Sequence, residues 1–205
     1  MIFITLSRIA MSNQSLVGIF ESLIHKDWQL PQEAGYWLIT ETAKGATHTE
    51  VKIGGCKSIA FSLDITEKNA WPFLTSSLDG LRAVCDCIVI AEYNKQNFCI
   101  FIDLKSSLSD KTKAIKQIRS SYLLQQWLIN LLSLHAHWPR QKQITYAGII
   151  SLEPRQTVPK GTTSKRNSIP KPESFHFHPK HIFTLTNHPR IVLSDLIQKL
   201  QQTTL

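Results

Sequence analysis

Cysteine is scarce in this chain, and no two cysteines stand in a CxxC spacing. A cysteine-built zinc or iron–sulfur centre is therefore not expected. Three of the four, Cys85, Cys87 and Cys99, lie within apolar runs, where cysteine acts as a small buried hydrophobe. That usage fits a reducing compartment and predicts a cytoplasmic protein. Long hydrophobic runs are also missing. Met1–Met11 is too short to span a bilayer and lacks the charged start and small-residue cleavage site of a signal peptide. Tyr122–Trp138 is interrupted by Gln125, Gln126, Asn130, His135 and His137, short of the roughly 20 apolar residues a span requires. No membrane association is expected. There is no GxxxxGK[ST] stretch, so no phosphate-binding loop of that kind. Acids are few, 15 against 23 Lys and Arg, which leaves a net charge of +8 and favours a polyanionic partner or an acidic protein surface.

What is present fits one globular domain: 205 residues, 42 % hydrophobic, with five tryptophans. Residues 1–13 read as an N-terminal extension. Ser12–Ser15 offers caps for an amphipathic helix through LVGIFESLIHKDW, in which Leu16, Ile19, Phe20, Leu23 and Ile24 recur at helical spacing until Leu30-Pro31 ends it. Tyr36–Thr42, Glu50–Ile53 and Lys57–Asp64 read as strands beside a central hairpin. That hairpin comprises Val84–Ala91 and Phe98–Leu104 around a polar tip. A helix follows from about Asp110 to His135, and Gln143–Ser151 reads as a buried strand next to the one bearing Asp103. The stretch 152–175 is proline-rich and basic, which predicts a mobile loop. Residues 176–205 complete the domain with a strand, His181–Asn187, and a helix, Asp195–Gln201, capped by Ser194. The histidines of FHFHPKH lack acid or cysteine partners nearby and read as loop residues.

The hairpin carries an acid in each apolar run. A turn at Asn94-Lys95 sets Asp86 opposite Asp103, and period-two alternation puts Asp103 and Lys105 on one face. Like charges opposed at roughly 5 Å between Cβ atoms destabilise a hairpin. A divalent cation shared by both carboxylates, with Lys105 beside it, resolves that conflict. Asp64 and Asp79 are rival acids, but both stand beside turn residues, where aspartate is expected for local hydrogen bonding.

An acid on one strand followed on the next strand by Asp103-Leu104-Lys105 and a helix resembles the signature of the PD-(D/E)xK nuclease superfamily. Cys85 stands where that motif has proline. The resemblance implies an α/β fold with a central mixed β-sheet flanked by helices, restriction-endonuclease-like, over residues 14–151. It further implies a metal-dependent endonuclease that uses Mg²⁺ or Mn²⁺ held by Asp86, Asp103 and the Leu104 carbonyl, with Lys105 at the reacting phosphate. Glu21 on the first helix is a candidate further ligand. Gln117 and Tyr122 resemble the Gln-x-x-x-Tyr pair of RecB-type members, but one extra residue swings Tyr122 about 100° around the helix, leaving Gln117 alone as a candidate. Lys111, Lys113, Lys116 and Arg119, with Lys165 and Arg166 in the proline-rich stretch, are candidates for nucleic-acid contact. DNA is the substrate most of the superfamily acts on. Other implied partners are proteins of a larger defence or mobile-element complex, or a second copy. The alternative is an inactive nuclease-fold subunit that binds nucleic acid or partner proteins.

Overall fold

The computed structural model describes residues 15–41, 50–65, 68–69, 77, 80–135, 143–153 and 168–204. The expected 1–13 extension, Asp79, and the part of the basic stretch that holds Lys165 and Arg166 lie outside the described residues. Helix α1 (Leu16–Leu23) begins where Ser15 Oγ accepts the Gly18 N–H at 3.1 Å. It is shorter than the apolar spacing predicts. Ile24 is already extended, and only a short 3₁₀ turn over Lys26–Trp28 follows. Tertiary contacts override the helical period: the Gln29 side chain donates to the Glu21 and Ile24 carbonyls, and its backbone bridges to Phe61.

Strands β1 (Gln32–Glu33), β2 (Tyr36–Thr40) and β3 (Glu50–Gly54) pair antiparallel. Next come β4 (Lys57–Phe61), the small pair β5 (Asp64–Ile65) and β6 (Lys68–Asn69), β7 (Cys87–Tyr93) and β8 (Gln96–Lys105). Helix α2 (Lys111–Leu134) then leads to β9 (Ile144–Leu152), β10 (Glu173–Ser174), β11 (His181–Thr186), β12 (Arg190–Val192) and helix α3 (Leu193–Thr204). The fold is α/β with two mixed sheets rather than a single central one. The larger has the order β10-β11-β9-β8-β7-β4, and the smaller the order β1-β2-β3-β12. Thus β2 and β3 do not extend the hairpin sheet as their strand-like sequences suggest. Their free edge is taken by β12 in parallel, and β4 alone reaches β7. The segment 57–64 is likewise not one strand, since β4 ends at Phe61. Helix α3 starts at Leu193, directly on β12, before the expected cap at Ser194.

The hairpin turn and register are as the alternation predicts, but β7 begins at Cys87 instead of Val84, which leaves Asp86 outside it, and both strands extend into the expected tip. Asn94 and Lys95 both take positive φ (48° and 62°), as a two-residue I′ turn requires, and Cys87 faces Ile102. One face of the large sheet, with Cys87, Val89, Ile100, Ile102 and Leu104, packs on the small sheet and α3. The other face, with Ile88, Ile90, Cys99 and Phe101, packs under α1 and α2. Gly148 on β9 lets α2 sit close, because a Cβ there would lie 3.1 Å from the side chains of both Ile118 and Ile182. Among the described residues, no helix is long and apolar enough to cross a membrane.

Candidate functional site

The site forms where β7 begins and β8 ends, beside the start of α2. Asp86 precedes β7 by one residue, and Asp103 lies near the end of β8 on the face that carries Phe101 and Cys99 toward α2. At this point the partner strand has run out, and the Asp86 carboxylate replaces it. Its Oδ2 accepts the Leu104 N–H at 2.5 Å. A strand residue directs its N–H and C=O to the same edge, so the Leu104 carbonyl faces the side occupied by Asp86. Lys105 Nζ stands 2.6 Å from Asp103 Oδ2, with 12 % of the Lys105 side chain exposed and none of Asp103. The contact is an ion pair at hydrogen-bonding distance, and among the described residues Asp103 Oδ1 has no hydrogen-bond partner.

Burial raises both carboxylates above the ordinary carboxylate range. For Asp86 the neighbouring Asp103 charge adds to this, against the Leu104 N–H and Lys105. For Asp103 the Lys105 ammonium holds part of the rise back. Because the two acids interact, their protons leave as a property of the pair. Burial acts against the Lys105 charge too, but the Asp103 carboxylate outweighs it and leaves the ammonium raised overall.

Helix α2 fixes the chain that carries Asp86. Gln117 Nε2 donates to the Val84 carbonyl at 3.0 Å, and Ser121 Oγ accepts the Cys85 N–H at 2.8 Å while donating to the Gln117 carbonyl. Gln117, a candidate catalytic residue by sequence, is thus buried as a clamp two residues ahead of Asp86. Ser121→Ala leaves the buried Cys85 N–H without its acceptor. The expected loss is about 1–3 kcal/mol, read as a lower denaturant midpoint with unchanged m.

Not every expected residue converges. Glu21 is exposed on α1, and the acid whose charge reaches the pair is Glu41, just past β2. Glu41 was not evident in the sequence, where it falls at the end of the strand-like run Tyr36–Thr42. Asp64, exposed by surface area yet crowded enough for burial to raise it, also feels Glu41, Lys105 and Lys113. Of the basic residues of α2, Lys113 lowers both Asp103 and Asp64, and Lys116 is exposed. Lys111 is instead paired with Glu173 at 2.5 Å, and Arg119 lies over the Phe177 ring at 4.1 Å. Tyr122 packs edge-on against Tyr146 and stacks on His178, away from the acids.

Among the described residues, no group of three or more His, Cys, Asp or Glu is placed to hold a metal. Magnesium makes a different demand. It is commonly held by one or two carboxylates, with water and substrate phosphate completing its shell. Two buried carboxylates, an Asp103 Oδ1 with no hydrogen-bond partner among the described residues and a carbonyl on the same edge fit a hard cation of that kind. Comparisons with protein-family models, with curated proteins and with solved structures give no match.

Proposed function

We propose that the chain is a metal-dependent phosphodiester hydrolase acting on nucleic acid, with DNA the first substrate to test. The observation that carries this reading is a pair of buried, mutually repelling carboxylates where β7 begins and β8 ends, with an ammonium group against one of them. Burial of paired like charges costs stability, and such arrangements cluster at functional sites. The element order supports the reading as well. Helix α1, the antiparallel strands β4, β7 and β8, helix α2 and the parallel strand β9 resemble the restriction-endonuclease-like core.

Asp86, Asp103 and the Leu104 carbonyl are the groups that would hold Mg²⁺ or Mn²⁺. When bound, such a cation supplies Lewis acidity toward a phosphodiester and toward water. Lys105, kept protonated by Asp103, balances the negative charge that builds on the phosphate in the transition state. Gln117 and Ser121 keep the Asp86 backbone in place. Lys113, whose charge reaches Asp103, and exposed Lys116 on the same helix offer charge to the phosphate backbone.

The test is a cleavage assay on plasmid, single-stranded DNA and RNA with Mg²⁺, Mn²⁺, Ca²⁺ or chelator. Cleavage that requires Mg²⁺ or Mn²⁺ is expected, and metal-independent cleavage or none on any substrate would reject the proposal. A second reading, an inactive nucleic-acid-binding subunit, draws on the direct closure of Lys105 onto Asp103, which already neutralises one carboxylate. Calorimetry separates the two, since absence of Mn²⁺ binding together with salt-sensitive DNA binding favours the inactive form.

A further inference from the structure

The second half of α2 is apolar on both sides. Its inward face buries Leu124, Gln125 and Leu132. Its outward face leaves Leu123, Trp127 and Leu134 exposed at 67 %, 51 % and 76 %, with exposed Asn130 between them. At 100° per residue these four positions fall within about 60° of arc and form one stripe. From Ser120 to Leu134 there is no Asp, Glu, Lys or Arg, although 19 % of the chain is charged. A lone surface leucine is ordinary, whereas a continuous stripe in a charge-free stretch marks an interaction surface.

We propose that this stripe is a homodimer interface in which two α2 helices cross antiparallel. The spacing of the stripe is four, three, four, which reads the same in either direction. A second copy laid antiparallel sets Leu123 against the partner's Leu134 and Trp127 against the partner's Asn130, each contact occurring twice. That self-complementarity is what a two-fold interface needs. Charge points to the same occupant. Two chains of net charge +8 repel wherever basic surfaces meet, and here they approach through a face with no formal charge. In this register the basic turn at Lys116 lies beyond the end of the partner's helix. The stripe covers only about 17 Å of helix, so the patch falls below the roughly 800 Å² per partner of a standard interface and the dimer is a weak, concentration-dependent one.

Sedimentation of the full chain over a concentration series tests this, whether or not the carboxylate pair cleaves anything. The wild type is expected to show a monomer–dimer equilibrium, and Leu123→Glu or Leu134→Glu to weaken it by about tenfold or more. Combining Leu123→Glu with Leu134→Lys on one chain should restore the dimer, because each new acid then meets the partner's new lysine. Melting temperature checks folding, and Leu134→Gln replaces any variant that melts early. A chain that stays monomeric throughout assigns the stripe to a different protein and overturns the proposal. A dimer indifferent to Leu123→Glu, or not restored by the charge pair, overturns it equally.

Discussion

Asp86→Asn is expected to abolish metal-dependent cleavage while making the metal-free protein more stable at neutral and alkaline pH. The two effects share one cause. In the folded chain the Asp86 carboxyl is buried and faces Asp103, so its pKa stands well above the ordinary carboxylate value. A folded state that holds its proton more tightly than the unfolded chain loses stability as pH rises through the interval between the two pKa values. It stays penalised above the higher one. Metal-free wild type should therefore melt lower at about pH 8 than at about pH 5, with each 1 kcal/mol appearing as about 2–4 °C. Asparagine keeps an oxygen to accept the Leu104 N–H and carries no charge, so the variant should flatten this pH dependence. Its cleavage should fall by about 10²–10³-fold or more, because a charged ligand is lost at the reacting centre. A variant that cuts normally would remove Asp86 from the chemistry. A melting temperature unchanged at alkaline pH would show that the carboxylate is not buried against a second charge.

This geometry was legible in the sequence to the extent that it depends on local rules. Strand alternation with the polar tip at Asn94-Lys95 set the hairpin register, which runs from Cys87 opposite Ile102 to Tyr93 opposite Gln96. The four-residue recurrence after Asp110 located α2, and the apolar run QITYAGIIS located β9 beside β8. What escaped depends on partners distant in the chain. The period-two pattern of β2 and β3 shows that they are strands, but not that β12, more than 130 residues further on, takes their edge. Lys111 and Arg119 looked available for phosphate because nothing nearby in sequence reveals Glu173 or Phe177 as their partners. Glu41 carried no signal of its own and Asp64 ranked only as a rival acid, since acids beside turns are common, and only the fold brings their charges near β8. Gln117 was singled out through its resemblance to the Gln-x-x-x-Tyr pair, and the structure shows its side chain clamping the Val84 carbonyl.

Lys105→Met is the substitution that most directly separates charge from packing at this site. Among the described residues the ammonium is the one positive group in ion-pair contact with Asp103, 2.6 Å away, and the carboxylate is fully buried. Methionine preserves most of the apolar stem but leaves that carboxylate without its counter-charge. Removing one partner of a buried pair costs roughly 3–5 kcal/mol. Here the cost should depend on pH, with the sign set by Asp103. Loss of the ammonium raises the Asp103 pKa further, so the penalty is full above that value and fades as pH falls through it and the carboxyl takes up a proton. Denaturant melts at about pH 8 and about pH 5 should show a large loss at the first and a small one at the second. Adding Asp103→Asn should return most of the stability at the higher pH but none of the cleavage, since neither the ligand nor the ammonium remains. Excess Mg²⁺ should also recover stability in the single Lys105→Met variant, by about 2.7 kcal/mol at a hundred times its dissociation constant, and should do so less in the double variant. If Lys105→Met instead costs no more than about 1 kcal/mol at both pH values, as for an exposed pair, then Asp103 is solvated and the site loses the electrostatic strain on which its proposed chemistry depends.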